Sequence, residues 1–338
     1  MTQAYTILLD SLRMLRASKL FWVSLWISAV VAVAYASIGF NDKGMTVMFG
    51  LWDFEIEIMR KGTAESQAFY TLIFTDVIVR FWLGWASLVL ALISTCSIFP
   101  QFLQTGSVEL AISKPVTRAR LFLLKYIGGL LFVAVQTLLF TIVCFIALGV
   151  RCSEWNLSVF WAVPVVTFSF SLIYCIGVFV GVWSRSTIFA LFASLLFWLM
   201  TLIVQWVDDF TYKMGYTIPE MGVNIDMRTG QVSDGTEDAG AGFRKFHQKI
   251  QPLVTIMPKT RETILSLKRL IVFEERDSML AGVDLGSVFA GGEMDTNAKE
   301  AMKKYDLRYS WFSIVGTSLI FELVVLGGAM LLFSRRDY

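Results

Sequence analysis

Few residues in this sequence are placed to do chemistry. Glu322 stands alone inside an otherwise uncharged run, 309–334, where an ionised carboxylate costs a few kcal/mol or more unless it faces a partner, a cavity or water. Two readings stay open: a translocation-path or gating group, or an interhelical hydrogen bond for which Gln136 or Thr137 of an earlier apolar run is the donor. A second polar set, Glu109, Lys114, Pro115 and Arg118, lies between two apolar runs. A helix through it carries Lys114 and Arg118 on one face with Glu109 to the side, and Pro115 stops that helix near Ser113. Charges on so short an element read either as setting register with a partner protein or as a solvated inner loop that obeys the positive-inside rule. Metal chemistry lacks ligands, because His247 is the single histidine and Cys96, Cys144 and Cys175 fall inside apolar runs, with Cys152 near the end of one. No Gly-Lys dipeptide occurs, so a phosphate cradle for nucleotide hydrolysis is missing. The chain is therefore expected to be no enzyme and to carry no cofactor of its own.

The elements that must position these residues are membrane spans. Hydrophobic residues make up 56% of the 338 and charged residues 17%, with a mean hydropathy of +0.64, which excludes a soluble enzyme. The net charge of +2 carries no nucleic-acid footprint. Six runs, 20–41, 81–108, 126–150, 155–184, 186–207 and 309–334, are uncharged apart from Glu322. Each is long enough to cross about 30 Å of hydrocarbon at 1.5 Å per residue. Pro164 in the fourth run predicts a kink, and Gly177 with Gly181 predicts a close helix approach. The expected architecture is an all-α membrane protein of six transmembrane helices. It comprises an amphipathic interfacial helix at 1–19, spans one to five within 20–207 with a cytoplasmic coupling segment at 100–125, an extracytoplasmic domain of about 100 residues at 208–309, the sixth span at 310–334 and a cytoplasmic tail at 335–338.

Basic residues give the orientation. Arg13, Arg16 and Lys19, then Lys114, Arg118, Arg120 and Lys125, then Arg185, then Arg335 and Arg336 all fall on one side of a six-span chain. The opposite short segments are poorer in Lys and Arg and richer in acids, among them Asp53, Glu55, Glu57 and Glu154. By the positive-inside rule both termini are cytoplasmic and 208–309 is external. A rival reading takes Arg13 to Ala36 as a signal peptide ending at Ala34-Tyr35-Ala36. Against it, Tyr5, Leu8, Leu12 and Leu15 share a helical face opposite Gln3, Asp10, Arg13 and Arg16, and cleavage would leave five spans. Between Asn41 and Arg80, Trp52, Phe54 and Ile56 alternate with acids, which reads either as an amphipathic segment resting on the outer membrane face or as a solvated loop with aromatic anchors. Within 208–309, Gly230 to Gly242 is Gly/Asp-rich, and Pro258 to Glu262 opens a helix with Ile264, Leu267 and Ile271 on one face.

The stretch Gly106-Ser107-Val108-Glu109-Leu110-Ala111-Ile112-Ser113-Lys114-Pro115-Val116-Thr117-Arg118, followed by Leu124-Lys125-Tyr126-Ile127-Gly128-Gly129, closely resembles the loop between spans two and three of ABC-2-type export permeases. The match covers about 25 residues, and the plan of amphipathic entry, six spans and an outer insertion between spans five and six agrees with it. The insertion is larger than the short outer helices common in that family. The resemblance implies a permease subunit of an ATP-driven ABC exporter in the bacterial inner membrane, paired as a homodimer or with a second permease. It also implies separate ABC ATPase subunits that hold ATP and Mg and engage Glu109, Lys114, Pro115 and Arg118 of the 100–125 segment. The alternative is a non-transporting membrane anchor or assembly component whose outer domain binds an envelope partner. An ion-coupled carrier would want more buried ionisable groups than Glu322 supplies.

Overall fold

The computed structural model describes residues 13, 19–103, 117–153, 155–217, 224–225, 232–233, 241–271 and 308–335. The expected interfacial helix before Lys19, the heart of the coupling segment with Glu109, Lys114 and Pro115, most of the Gly/Asp-rich stretch and the tail beyond Arg335 lie outside the described residues.

Among the described residues, six helices are long and apolar enough to cross a membrane. They are α1 (Lys19–Ser37), α2 (Ala64–Phe102), α3 (Arg118–Cys152), α4 (Leu157–Ser184), α5 (Thr187–Thr217) and α9 (Trp311–Arg335). Between α5 and α9 the described pieces are a two-residue strand pair, Asn224–Ile225 with Val232–Ser233, and helices α6 (Ala241–Ile256), α7 (Thr260–Leu265) and α8 (Leu267–Leu270). Polar caps start several of the spans. Thr63, Thr117, Asn156 and Ser186 each accept a backbone N–H from the first turn of the helix that follows.

α4 is the centre of the bundle, with α3, α5 and α9 packed on it. Its most apolar window is 72% buried against 22% for α5 and for α9, so these two present most of their apolar surface outward. The α4–α5 hairpin closes through Arg185, whose φ of 55° turns the chain, and its helices approach through small residues. A Cβ on Gly177 would lie 2.5 Å from Ser194 Oγ, and one on Gly181 would lie 3.5 Å from the Ala190 Cβ. Pro164 sits just past the point where a 3-10 turn, Leu157–Trp161, passes into the regular helix Ala162–Ser184.

Residues 39–55 form a three-stranded antiparallel meander, β1 (Gly39–Asn41), β2 (Gly44–Val47) and β3 (Trp52–Glu55), in place of the expected amphipathic segment or loop. Alternation of Trp52 and Phe54 with Asp53 and Glu55 is the period-two pattern of a strand. Gly44 permits the tight β1–β2 turn at φ 148°, a conformation closed to other residues, and its N–H and that of Lys43 donate to Asn41 Oδ1. The second span also begins earlier than its uncharged run. It enters at Ala64, passes through a wide i→i+5 helical stretch from Ile73 to Ala86, and includes buried Asp76 and exposed Arg80.

Candidate functional site

Glu322 is buried at 7% exposure and its carboxylate joins three spans. Oε1 lies 2.6 Å from the Tyr126 hydroxyl of α3, and Oε2 accepts from the Ser171 hydroxyl of α4 at 3.0 Å. The Tyr126 oxygen is also 3.2 Å from the Ser171 carbonyl. One hydroxyl proton serves either acceptor, so the joint closes in both protonation states. An ionised Glu322 accepts from Tyr126, whereas a protonated one donates to Tyr126, which then donates to the Ser171 carbonyl. Tyr126 is held by stacking on Tyr174 at 5.4 Å, and Tyr174 fits because residue 129 is glycine: a Cβ there would lie 2.9 Å from the Tyr174 ring. The Tyr174 hydroxyl itself is buried without a partner.

Gln136 and Thr137 are not the partners of Glu322. Gln136 Nε2 donates to Ser28 Oγ of α1 at 3.0 Å, and Ser94 of α2 donates to Ser24 of α1 at 3.3 Å, so a second polar joint ties the first three spans. The Gln136 Oε1 has no hydrogen-bond partner, and Ser28, Gln136 and Thr137 line a small cavity between these helices.

The two ends of the 100–125 segment converge on the end of α9. Phe102 at the close of α2 and Phe122 near the start of α3 pack against Phe333, with ring centroids 6.2 and 5.9 Å apart. Arg118 donates from Nη1 to the Ser334 carbonyl at 3.0 Å, a cation on the C-terminal end of a helix. Lys125 is 2% exposed, with its ammonium 5.2 Å over the Phe102 ring.

At the opposite end of the bundle an ionic clasp ties the helices that follow α5 to α5 and α9. Asp208 faces the His247 Nδ1 at 3.2 Å, accepts from the Tyr309 hydroxyl at 3.0 Å and pairs with Arg308, while Asp209 pairs with Arg261. Gln205 donates to the Pro258 carbonyl at 2.7 Å and accepts the Arg261 N–H at 3.1 Å. The Lys259 N–H donates to Ser318 Oγ, and its ammonium stands 4.2 Å over the Tyr309 ring. Burial pushes the His247 imidazole below its usual value, Asp208 opposes that and Arg308 adds to it. Burial likewise lowers Lys259 and raises Tyr309. The reading of the sequence missed this clasp, whose signal is that Asp208-Asp209 ends one apolar run and Arg308-Tyr309 precedes the next. Ile264, Leu267 and Ile271 are buried, but the single helix expected to carry them is two short ones, α7 and α8, with Ile271 in extended backbone just past the second.

Six apolar helices locked to one another by buried polar joints define a multi-pass membrane protein. Comparison with family models then gives the family: the model for ABC-2 family transporter proteins matches residues 5–338, so the chain belongs to that family and is an ABC transporter permease. The likeness carried by about 25 residues of one loop thus extends over almost the whole chain. Neither the curated proteins nor the solved structures contain a match.

Proposed function

We propose that this chain is the membrane subunit of an ATP-driven exporter in a bacterial inner membrane, forming the translocation path as a dimer. Hydrolysis of ATP with Mg takes place on separate ATPase subunits, which fits the ABC ATPase partner that the family implies. Both termini and the 100–125 segment face that ATPase in the cytoplasm, and 208–309 faces outward, as the distribution of basic residues requires.

The observation that carries this reading is the convergence of Phe102, Arg118 and Phe122 on Phe333 and Ser334. A push on the segment between Phe102 and Arg118 reaches the ends of α2, α3 and α9 together, because interdigitated aromatic rings do not compress. In this scheme Glu109, Lys114 and Pro115 meet the ATPase, and Arg118 braces the segment against α9. Glu322 is the gating joint at which α9 is held to α3 and α4, and Gln136 lies on the joint to α1.

Reversal at Glu109 tests the scheme. Glu109→Lys should weaken co-purification with the ATPase and uncouple hydrolysis from transport, since an interfacial charge left buried without its mate costs on the order of 2–5 kcal/mol. Reversal at Glu237 should do neither. Unchanged complex yield and unchanged substrate-stimulated hydrolysis in Glu109→Lys would remove the coupling role from this residue.

A further inference from the structure

A small, half-open pocket of about 60 Å³ lies between α2, α5 and α7 on the side of the ionic clasp. Its depth in the bilayer follows from the sequence: Arg80 immediately precedes an uncharged run and Asp208 immediately follows another, so both mark the same membrane–water boundary. The pocket is graded along that normal. Its polar lining is Arg80, Thr260 and Arg261, and its apolar wall runs inward through Trp85 and Leu88 of α2 and Trp198 and Leu202 of α5. Trp85 and Trp198 touch, with ring centroids 5.3 Å apart, and α7 closes the pocket by seating Ile264 on Gly84, where a Cβ would lie 3.0 Å from the Ile264 Cγ2.

Two features separate this pocket from ordinary lipid-facing surface. Thr260 is 2% exposed, yet its hydroxyl finds no hydrogen-bond partner, the kind of buried polar atom that a bound ligand satisfies. Arg261 is 24% exposed and engages Asp209 through Nη1, and a guanidinium has further N–H donors to offer. Cationic donors at the water level above an aromatic and aliphatic slot match one class of molecule, a phosphate headgroup carrying acyl chains.

We propose that this pocket binds one anionic phospholipid per chain, its phosphate held by Arg80, Thr260 and Arg261 and an acyl chain laid against Trp85, Trp198 and Leu202. The site stands apart from the coupling scheme and holds whether or not the chain transports anything. A lipid seated there wedges α2, α5 and α7 together and makes their packing depend on the composition of the membrane.

Native mass spectrometry of the purified chain with phosphatidylglycerol or phosphatidylcholine of identical acyl chains tests it. Phosphatidylglycerol should be retained about tenfold better, a difference of roughly 1.4 kcal/mol. Arg80→Gln should erase the preference and Arg80→Lys should keep most of it, while Leu202→Trp should fill the slot and reduce both lipids. Thr260→Val, close in shape to the native residue, should lower phosphatidylglycerol retention about threefold at unchanged Tm, which keeps the test valid if Leu202→Trp fails to fold. Millimolar inorganic phosphate should not displace the lipid. Equal retention of the two lipids, indifference to Arg80→Gln and Thr260→Val, or displacement by inorganic phosphate would each overturn the proposal.

Discussion

The Glu322 carboxyl lies within hydrogen-bond distance of two hydroxyl groups, Tyr126 and Ser171, and this fixes what its substitution should do. Glu322→Gln keeps an acceptor for Tyr126 and an amide that Ser171 can accept from, so abundance and Tm should hold. Glu322→Leu removes both bonds inside the bundle and should cost about 1–3 kcal/mol, read as a drop in Tm in detergent. If Glu322 gates, transport falls in both variants, and normal transport in both makes it a bystander. His247 gives a pH dependence at the clasp. Its folded value is lowered, so the imidazole is neutral at neutral pH. The stability it contributes is full above the ordinary histidine value of about 6.5 and is lost as pH falls below it. Tm should decline on acidification from about pH 6.5, and His247→Gln should flatten that decline. If the wild type shows no loss, the neutral imidazole is not what the clasp selects. Glu322 was legible in the sequence because it interrupts an apolar run. Its partners were not, because Tyr126 and Ser171 lie 196 and 151 residues away, and only the rotation of α3 and α4 about their own axes brings them to it.

At the level of elements, uncharged length located all six spans, because a bilayer demands it of any helix that crosses. Their ends were less readable. α2 begins at Ala64, well before its uncharged run, because a backbone hydrogen-bond ladder propagates through Glu65, Asp76 and Arg80 without requiring apolar side chains. The alternation at Trp52 to Glu55 is too short to separate a strand from an amphipathic turn until Gly44–Val47 is found paired with it in the register Val47 to Trp52. Pro164 marks a change of helix type, because the 3-10 turn Leu157–Trp161 gives way to the regular helix at Ala162, two residues before it. Gly177 and Gly181 were read correctly, since close approach is a property of the missing side chain itself.

For the whole molecule, sidedness is the property to measure next. The four cysteines of the chain are all buried, which leaves a quiet background for labelling introduced ones. Lys114→Cys should react with a membrane-impermeant maleimide only after the cytoplasmic face is opened, and Asp234→Cys should react in intact spheroplasts. Reaction of both from one side would invert the coupling scheme along with the topology. The ionic clasp described above also imposes an order of events during synthesis. Asp208 and Arg308 are 100 residues apart, and at about 5–20 residues per second a ribosome takes roughly 5–20 s to pass from one to the other. Throughout that interval α5 stands in the bilayer with Asp208 lacking Arg308 and Tyr309, while Tyr126 and Ser171 wait for Glu322. A nascent chain stalled there lacks the groups that tie α3, α4 and α5 to the sixth span, so the joint and the clasp close together only after that span is made.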